Sequence, residues 1–327
     1  MTDVLILGGT GWLSGLVAQR WIGHGAAVTC VARGGRPAPD GADLVVADRD
    51  DPEAFAAVAQ REWDEVVDIS SRAAHVASAV AALSPRARHW AYVSTLSVYA
   101  DHASVGADES APLLAPAEPG DEYDYGREKV AAEAFVRSAL PDRSAIVRPG
   151  LIVGPGDPTD RFGYWVGRFA LAGDGPVLVP AALGLMTQFI DVEDVADFVF
   201  AAGRDARAGV ANAVGDPMPF AQYWPFAAER AGYAGAAWGA DDEWLTARDV
   251  AHWMGPRSLP LWLPADMTGF ATHANAAYRA AGGSFRPLAD TLDRTLADER
   301  RRGLERERKA GLTRVDELAL LAELSAA

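Results

Sequence analysis

The chain has 327 residues, half of them apolar, which is enough for one large α/β domain or for a domain with a smaller second lobe. Its formal net charge of −15 disfavours nucleic acid as a main partner, since phosphate binding needs concentrated Lys and Arg. The single cysteine, Cys30, cannot form an internal disulfide. No apolar stretch is long enough to span a bilayer, and no basic leader precedes the first apolar run. We therefore expect a cytoplasmic protein with no membrane partner.

The first half of the chain alternates short β-branched runs with alanine-rich segments of helical periodicity. The predicted strands span residues 4–7, 27–32, 43–46, 65–69, 89–94 and 145–148. The predicted helices span residues 12–24, 52–61, 73–83 and 125–139. Strands that alternate with helices predict right-handed crossovers and a mostly parallel sheet. The expected fold class is therefore α/β, a doubly wound Rossmann sheet with a smaller C-terminal substrate lobe. Ligands of such sheets bind beyond the carboxyl ends of the strands.

The alternation loosens after about residue 150, where prolines interrupt it. We predict a dinucleotide-binding Rossmann domain over residues 1–150, to which residues 187–215 return. The region over residues 151–327 is predicted to be mainly a substrate-binding lobe and C-terminal helices. Its last part, residues 288–327, is helical and highly charged.

A glycine-rich turn follows the first predicted strand and opens the first predicted helix. Its residues are Gly8-Gly9-Thr10-Gly11-Trp12-Leu13. Glycines spaced in this way let backbone amides approach a pyrophosphate, and the helix N-terminus adds a favourable partial charge. Gly8, Thr10, Gly11, Trp12 and Leu13 are therefore candidate cofactor-binding residues. The alternative is a tight strand-to-helix turn without a ligand, which the flanking strand and helix disfavour.

The end of the second predicted strand carries arginine where an acid would hold NAD. Enzymes that prefer NAD usually place Asp or Glu there, to bind the ribose 2′-hydroxyl. Arg33 and Arg36 follow this strand instead, and a guanidinium pairs with a 2′-phosphate. The sequence therefore favours NADP and leaves NAD open, because Arg33 could also stack on the adenine. Asp48 is placed to accept from the adenine amino group, with a solvated loop acid as the alternative, and Ser70 follows another strand end.

Tyr125 and Lys129 lie four residues apart and therefore share one face of a predicted helix. A free tyrosine has a pKa of about 10, and the lysine together with a positive nicotinamide ring would favour the phenolate. Tyr125 is thus a candidate acid/base for a substrate oxygen, and Lys129 a candidate ligand of the nicotinamide ribose. Thr95, which follows a predicted strand, would orient the same substrate oxygen. A surface or core tyrosine is the alternative interpretation of Tyr125.

Taken together, these motifs resemble the extended short-chain dehydrogenase/reductase family, the NAD-dependent epimerase/dehydratase group. The matching segments, in the family's order and spacing, are residues 7–13, 93–99, 125–129, 148–156 and 188–196. The resemblance implies a nicotinamide cofactor, the roles given above for Thr95, Tyr125 and Lys129, and substrate binding by a C-terminal lobe. It also implies a homodimer.

Three places depart from the family's pattern. Ser14 stands at the third glycine of the turn, so helix–strand packing there is expected to be less tight. Leu96 and Ser97 replace the acidic pair of the sugar-nucleotide dehydratases, which disfavours elimination of water. Gly150-Leu151 stands where many sugar-nucleotide epimerases carry asparagine, which lowers the expectation of a nucleotide-sugar substrate.

Three functions are compatible with these residues, and the fold alone cannot choose between them. The first is an NADP-dependent oxidoreductase that transfers hydride to or from a small carbonyl or alcohol by Tyr/Lys/Thr acid–base catalysis, without a metal. The second is an NAD(P)-dependent epimerase of a sugar or sugar-like substrate, acting through a transient keto intermediate. The third is a non-catalytic dinucleotide-sensing protein, which would not need the intact set of Thr95, Tyr125 and Lys129. Arg33 favours the first slightly, because reductive steps often draw on NADPH.

Overall fold

The computed structural model describes residues 1–181 and 184–326 of the chain. Strands β1 to β15 are, in chain order, Asp3–Leu7, Ala27–Ala32, Ala42–Val46, Trp63–Asp68, Ala87–Val93, Ser144–Pro149, Leu151–Val153, Val177–Pro180, Met186–Thr187, Phe189–Asp191, Gly209–Ala213, Met218–Pro219, Ala237–Ala240, Ala251–Trp253 and Ser258–Pro260. Helices α1 to α10 are Trp12–Gly23, Ala73–Leu83, Tyr125–Ala139, Arg161–Ala172, Val192–Arg204, Phe220–Ala231, Asp242–Thr246, Ala276–Ala280, Leu288–Arg302 and Arg314–Ala326. Within the described ranges, no helix is both long and apolar enough to cross a membrane.

A seven-stranded sheet forms the centre of the molecule, in the order β3-β2-β1-β4-β5-β6-β11, and all its strand pairs are parallel. Its inner strands bury side chains on both faces, as expected for a parallel sheet that helices cover on both sides. Helices α1 and α5 pack on one face, and α2 and α3 pack on the other. The doubly wound α/β fold expected from the alternation of strands and helices is therefore confirmed.

The chain returns to this sheet after it has entered a second lobe. Strand β11 pairs with β6 at the edge of the sheet, and α5 packs against α1. The second lobe has an apolar core of its own, to which α4, α6 and α9 contribute, with Trp165, Phe169 and Tyr223 fully buried in it. The domain division near residue 150 stays a prediction.

The secondary structure agrees with the sequence in the first half, with one exception. Every predicted strand ends within two residues of the observed strand. The helix predicted over residues 52–61 is wrong, because the chain forms successive turns there. The amides of Ala54, Ala56 and Val58 bond to the carbonyls three residues earlier. Phe55 and Val58 are nevertheless buried, so the successive turns still place the apolar side chains of this segment in the core.

The helical stretch predicted over residues 288–327 is divided into α9 and α10. The connection contains Gly303 and Gly311, whose φ angles of +96° and +112° are conformations that L side chains rarely adopt. An added Cβ at Gly311 would lie 2.2 Å from the Tyr164 ring, so the connection also packs tightly on the second lobe. Ala327, the last residue of the predicted stretch, lies outside the described residues.

Candidate active site

Two clefts open at the carboxyl edge of the sheet, and they meet at Ile69 and Ser71. The glycine-rich cleft has a volume of about 1160 Å³, and its lining includes Gly8, Thr10, Gly11, Arg33, Arg36, Asp48, Ser70 and Arg72. The tyrosine cavity has a volume of about 450 Å³, and its lining includes Trp12, Leu13, Thr95, Tyr125, Lys129, Arg161, Gln188, Trp253, Met254 and Phe270. Every candidate site residue named from the sequence therefore lines one of these two clefts. Their individual roles stay predictions.

The turn between β1 and α1 depends on two glycines. Gly8 has a φ of +86°, which glycine adopts without steric cost. Gly9 lies against β2, where an added Cβ would come within 2.4 Å of the Cys30 sulphur. A side chain at Gly9 would therefore push the turn away from the sheet. The close approach of the turn to β2 explains why a small buried residue, Cys30, stands opposite it.

Ser14 ties this turn closed. Its hydroxyl donates to the Gly8 carbonyl at 2.6 Å and accepts from the Gly11 amide at 2.9 Å, and the residue is buried. The serine thus forms two hydrogen bonds that a glycine could not form, which offsets the looser packing expected from the departure at this position. The amides of Trp12 and Leu13 precede the first intrahelical hydrogen bond of α1. Because the first turn of α1 also carries no acid, these amides fit a pyrophosphate.

The far end of the glycine-rich cleft is basic. Arg33 and Arg36 are exposed just beyond β2, and Arg72 lines the same cleft from the loop after β4. Asp48 is exposed at its lining and accepts a hydrogen bond from the Asp50 amide at 3.2 Å. Three guanidinium groups around this end fit an additional phosphate on the adenosine ribose.

An ion pair that the sequence analysis missed fixes the loop that carries Ser70. Arg49 donates to both carboxylate oxygens of Asp68, at 2.7 and 2.8 Å, and Asp68 is fully buried at the end of β4. Asp68 also accepts from the Ser70 amide at 2.9 Å. An aspartate at a strand end was the only sequence signal for this pair, and nothing in the spacing connects it with Arg49.

Lys129 lies beneath the junction of the two clefts. The residue is buried, and its ammonium donates to three backbone carbonyls at the ends of β4 and β5. These acceptors are Ile69 at 3.4 Å, Ser70 at 2.9 Å and Val93 at 2.6 Å. Burial lowers the pKa of Lys129 to about 7, against the opposing charges of Asp68 and Glu133. Lys129 thus lines the cavity as predicted, while its hydrogen bonds within the described residues go to backbone rather than to the phenol of Tyr125.

Tyr125 is the first residue of α3, which Asp124 caps, and 42 % of the tyrosine is exposed to the cleft. Its phenol lies close enough to the Thr95 hydroxyl for that hydroxyl to act on its pKa. The packing around the phenol raises the pKa of Tyr125, whereas the Thr95 hydroxyl and the positive charge of Arg161 act in the opposite direction. Arg161 is therefore a cation that favours the phenolate and that the sequence did not point to, while the effect expected of Lys129 stays a prediction.

A buried ionic network holds α3 against the central sheet. Arg148 donates to the two carboxylate oxygens of Glu133 at 2.9 and 2.7 Å, and to the Tyr99 hydroxyl at 3.0 Å. Glu133 also accepts from the Ser94 hydroxyl at 2.5 Å. All four residues are almost completely buried. Ser94 directly precedes Thr95, and Glu133 lies one helical turn beyond Lys129. The network therefore fixes the segment that carries Thr95 relative to the helix that carries Lys129.

The opposite wall of the tyrosine cavity consists of residues that the sequence analysis did not single out. Arg161 begins α4, Trp253 ends β14, and Phe270 lies in the loop after β15. The guanidinium carbon of Arg161 lies 5.0 Å from the centre of the Trp253 ring, and Phe270 meets that ring edge-on at 5.4 Å. Trp12 joins this wall to the glycine-rich turn by donating its indole N–H to the Pro155 carbonyl at 2.8 Å. No periodicity or spacing in the sequence relates these segments.

Comparisons with known proteins bear on the family and on the fold. The model of the NAD dependent epimerase/dehydratase family matches residues 76–214, which include Thr95, Tyr125 and Lys129. A search of curated proteins found no match. A provisionally assigned epimerase from Burkholderia cenocepacia is 23 % identical, with a TM-score of 0.71 over 92 % of this chain and 98 % of that chain.

Two further solved structures cover this chain nearly from end to end. UDP-glucose 4-epimerase from Thermotoga maritima, solved with UDP-glucose, is 15 % identical, with a TM-score of 0.65 over 92 % of this chain and 99 % of that chain. The enzyme WbmG of Bordetella bronchiseptica, solved with NAD, is 16 % identical, with a TM-score of 0.66 over 95 % of this chain and 96 % of that chain. At these identities the structural likeness shows the fold. The family match over residues 76–214, which is less than half of the chain, confirms the resemblance to the NAD-dependent epimerase/dehydratase family and supports an NAD(P)-dependent enzyme, an oxidoreductase or an epimerase.

Proposed function

We propose that the chain is an NADP-dependent oxidoreductase that acts on a small carbonyl compound or on the corresponding alcohol. The observation that carries this proposal is the junction of a glycine-rich cleft, basic at its far end, with a cavity that contains Thr95, Tyr125 and Lys129. The cavity volume of about 450 Å³ lies in the range of small-molecule sites. Because a nicotinamide ring would take part of this volume, the remainder suits a small substrate.

The residues of the chain supply binding, orientation and proton transfer, and a bound NADP would supply or accept the hydride. The amides of Trp12 and Leu13 would hold the pyrophosphate, and Arg33 would pair with the 2′-phosphate. Tyr125 would hold the transferable proton on its hydroxyl oxygen and give it to the substrate oxygen, which Thr95 would orient. Lys129 would bind ribose hydroxyls near the ends of β4 and β5.

The charge on the Tyr125 phenolate that remains after proton transfer also needs stabilisation. Arg161 is the nearby cation that lowers the pKa of this phenol, so it would stabilise the phenolate. The wall formed by Trp253, Met254 and Phe270 would exclude water from the reacting atoms. Around one substrate oxygen, Tyr125 would therefore supply the proton, Thr95 would orient the oxygen, and Arg161 would supply the charge that stabilises the phenolate.

The second candidate function is an NAD(P)-dependent epimerase of a sugar or sugar-like substrate. It is favoured by the solved structures of epimerases that match this chain nearly from end to end. It would use the same acid/base and the same dinucleotide site, and the hydride would return to the substrate. Gly150-Leu151, in the position where many sugar-nucleotide epimerases carry asparagine, lines the tyrosine cavity and disfavours it.

The two functions differ in what happens to the cofactor. We expect the purified enzyme to oxidise NADPH in the presence of a panel of small ketones, with free exchange of the dinucleotide and a preference for NADPH over NADH. A tightly held, unexchanged dinucleotide without net NADPH consumption would reject the oxidoreductase and favour the epimerase.

Arg33→Asp tests the preference for NADP. The Kd of NADPH should rise at least tenfold, because a carboxylate would repel the 2′-phosphate, while the Kd of NADH should change less than threefold. Arg88→Gln removes a guanidinium whose side chain is 82 % exposed and lies outside both clefts, so it is the matched control. Equal affinities of the wild type for the two dinucleotides would reject NADP specificity.

A further inference from the structure

Arg161 is a half-buried cation in the wall of the tyrosine cavity. Burial lowers the pKa of its guanidinium, while the charge of Asp157 acts in the opposite direction. Its Nε donates to the Thr159 hydroxyl at 3.2 Å, while its two terminal nitrogens donate to no acceptor among the described residues. It forms no salt bridge with any carboxylate of those residues either. Because neither terminal nitrogen is completely buried, both can meet an acceptor that enters the tyrosine cavity, which Arg161 lines.

The two acids nearest in sequence are engaged elsewhere. Asp157 accepts from the amide and the hydroxyl of Thr159, at 2.8 and 3.0 Å. Asp160 pairs with Arg302 at 2.8 Å and with Arg306, and it also accepts from the Lys309 amide at 3.1 Å. Neither carboxylate forms a salt bridge with Arg161 in this structure, although the charge of Asp157 acts on the guanidinium. The terminal nitrogens therefore keep free donors for a ligand.

Two residues in strained conformations hold Arg161 in place. Asp160, which immediately precedes it, has a φ of +62°, and Trp253, which stacks on its guanidinium, has a φ of +64°. A non-glycine residue in this region of conformational space costs roughly 1–3 kcal/mol and persists only where its surroundings require it. Here the ion pairs of Asp160 hold its backbone in place. The hydrogen bond from the Trp253 amide to the Trp262 carbonyl, at 3.0 Å, does the same for Trp253. The guanidinium is thus pre-organised rather than a mobile surface group.

A fixed, planar guanidinium with free terminal N–H groups matches a carboxylate, which it can bind with two parallel hydrogen bonds. Its single positive charge neutralises one monoanion, whereas a diphosphate would bring at least two negative charges. We infer that Arg161 binds a carboxylate of the substrate, so that the carbonyl compound is an oxo acid and the alcohol a hydroxy acid. Because Arg161 also lies close enough to Tyr125 to act on its phenol, this carboxylate would bind near the reacting oxygen. The inference rests on the proposed function for the reaction, but the binding of the carboxylate can be measured without turnover.

The first experiment measures binding to the NADP-saturated enzyme by calorimetry. Pentanoate and benzoate are the probes, pentanamide and benzamide are their neutral counterparts, and UDP represents a diphosphate ligand. We expect the wild type to bind at least one of the acids at least tenfold more tightly than its amide. Arg161→Gln should abolish this preference, Arg161→Lys should keep part of it, and Arg88→Gln should leave it unchanged. Circular dichroism and the Tm establish that each variant is folded.

The second experiment measures kcat/KM for NADPH-dependent reduction of 2-oxopentanoate, 4-oxopentanoate and 5-oxohexanoate, each compared with its methyl ester. We expect at least one acid to exceed its ester by about 30-fold in the wild type, and the ratio to fall to near one in Arg161→Gln. The ratio is the readout because loss of Arg161 also affects Tyr125, which slows acid and ester alike.

Each outcome decides between the two claims. Arg161-dependent binding of an acid without reduction of any probe would reject the proposed oxidoreductase and leave the carboxylate site standing. Reduction with equal preference for acid and ester, or the same acid preference in Arg161→Gln as in the wild type, would overturn the carboxylate site alone. Binding of UDP but of neither acid, or of no probe at all, would also overturn it.

Discussion

The glycine-rich cleft and the tyrosine cavity lie side by side but are built in different ways. Most of the lining of the glycine-rich cleft comes from short loops that directly follow β1, β2, β3 and β4, so those segments are anchored by strands of the same sheet. His75 of α2 and Tyr123 complete the lining. The tyrosine cavity takes one wall from that sheet and α3, and the other from α4, β14 and the loop after β15. A dinucleotide site can therefore be specified by local turns, whereas the substrate site requires the packing of remote segments.

This difference decides which changes should damage which function. A change in a local turn should weaken dinucleotide binding and leave the shape of the cavity intact. A change in a contact between remote segments should alter the shape of the cavity and leave dinucleotide binding intact. Lys129 donates to the carbonyls of Ile69 and Ser70, at the junction of the two clefts, so it couples the two sites.

The largest expected effect comes from Tyr125→Phe. Loss of the phenol oxygen should lower kcat by about 10²–10⁴-fold, since it removes the proposed proton donor to the substrate oxygen. The Kd of NADPH should change less than threefold, because the phenol does not line the glycine-rich cleft. Steady-state kinetics and fluorescence titration of NADPH give the two values.

A tyrosine outside both clefts provides the control for this substitution. Tyr233→Phe removes a phenol that donates to the Gly175 carbonyl at 2.9 Å in the second lobe, so it should lower stability slightly and leave kcat unchanged. If Tyr125→Phe turned over at the wild-type rate, the acid/base role of Tyr125 would have to be abandoned.

The next largest effect concerns the glycine-rich turn alone. Gly9→Ala places a Cβ 2.4 Å from the Cys30 sulphur and 2.7 Å from its Cβ, so the turn must move away from β2. Overpacking of this kind costs about 1–3 kcal/mol, and the Kd of NADPH should rise about tenfold or more because the amides of α1 move with the turn. Urea unfolding and NADPH titration measure the two effects.

Gly23→Ala is the control for the turn, since an added Cβ at Gly23 would have no atom within 4 Å. Because Gly23 is the last residue of α1, alanine should stabilise the protein slightly and leave NADPH binding unchanged. Should Gly9→Ala bind NADPH as tightly as the wild type does, the turn would not determine the affinity.

The same division explains what the sequence could predict. The strands of the sheet and the turn at Gly8 follow from β-branched runs and from the conformational freedom of glycine, which are local properties. Spacing on one helix face placed Tyr125 and Lys129 correctly, but it could not show that backbone carbonyls take the ammonium of Lys129. Arg161 and Trp253 were missed because their meeting depends on tertiary packing between α4 and β14, which has no local pattern.

Gln188 connects segments around the tyrosine cavity. Its loss should weaken substrate binding rather than NADPH binding, which is the reverse of the effect expected for Gly9→Ala. Its amide group donates to the Gly215 and His273 carbonyls, both at 2.8 Å, and accepts from the His273 amide at 3.0 Å. Gln188→Ala leaves these buried backbone groups unpaired, at a cost of about 1–3 kcal/mol, and should loosen the wall that contains Phe270. We expect KM for the ketone to rise about tenfold while the Kd of NADPH stays within twofold.

Gln60→Ala removes an exposed glutamine and should change neither constant, so it is the control for this substitution. Equal losses in the affinity for ketone and for NADPH would mean that the two clefts are not built independently.

The smallest effect concerns a buried pair in the sheet, His89 and Glu65, whose side chains lie 2.6 Å apart with 1 % of each exposed. Burial disfavours the charged imidazole, but the hydrogen bond and charge of Glu65 outweigh it and raise the pKa of His89 above its ordinary value. Burial also raises the pKa of Glu65, against the effect of His89. Both shifts have the same sign, so the folded protein retains protons that the unfolded chain releases.

The stability that His89 contributes by taking up this proton is therefore fully present below the ordinary pKa of histidine, about 6.5, and is lost as the pH rises through the raised pKa of His89. For one proton the slope cannot exceed about 1.4 kcal/mol per pH unit. In urea unfolding from pH 6.5 to 9.5, the free energy of unfolding should fall less steeply in His89→Gln than in the wild type. His24→Gln, which removes an exposed imidazole, should keep the wild-type slope. The slope is the readout because His89→Gln also lowers stability at every pH, by leaving Glu65 without its partner. Identical slopes in His89→Gln and the wild type would mean that the pair takes up no extra proton on folding.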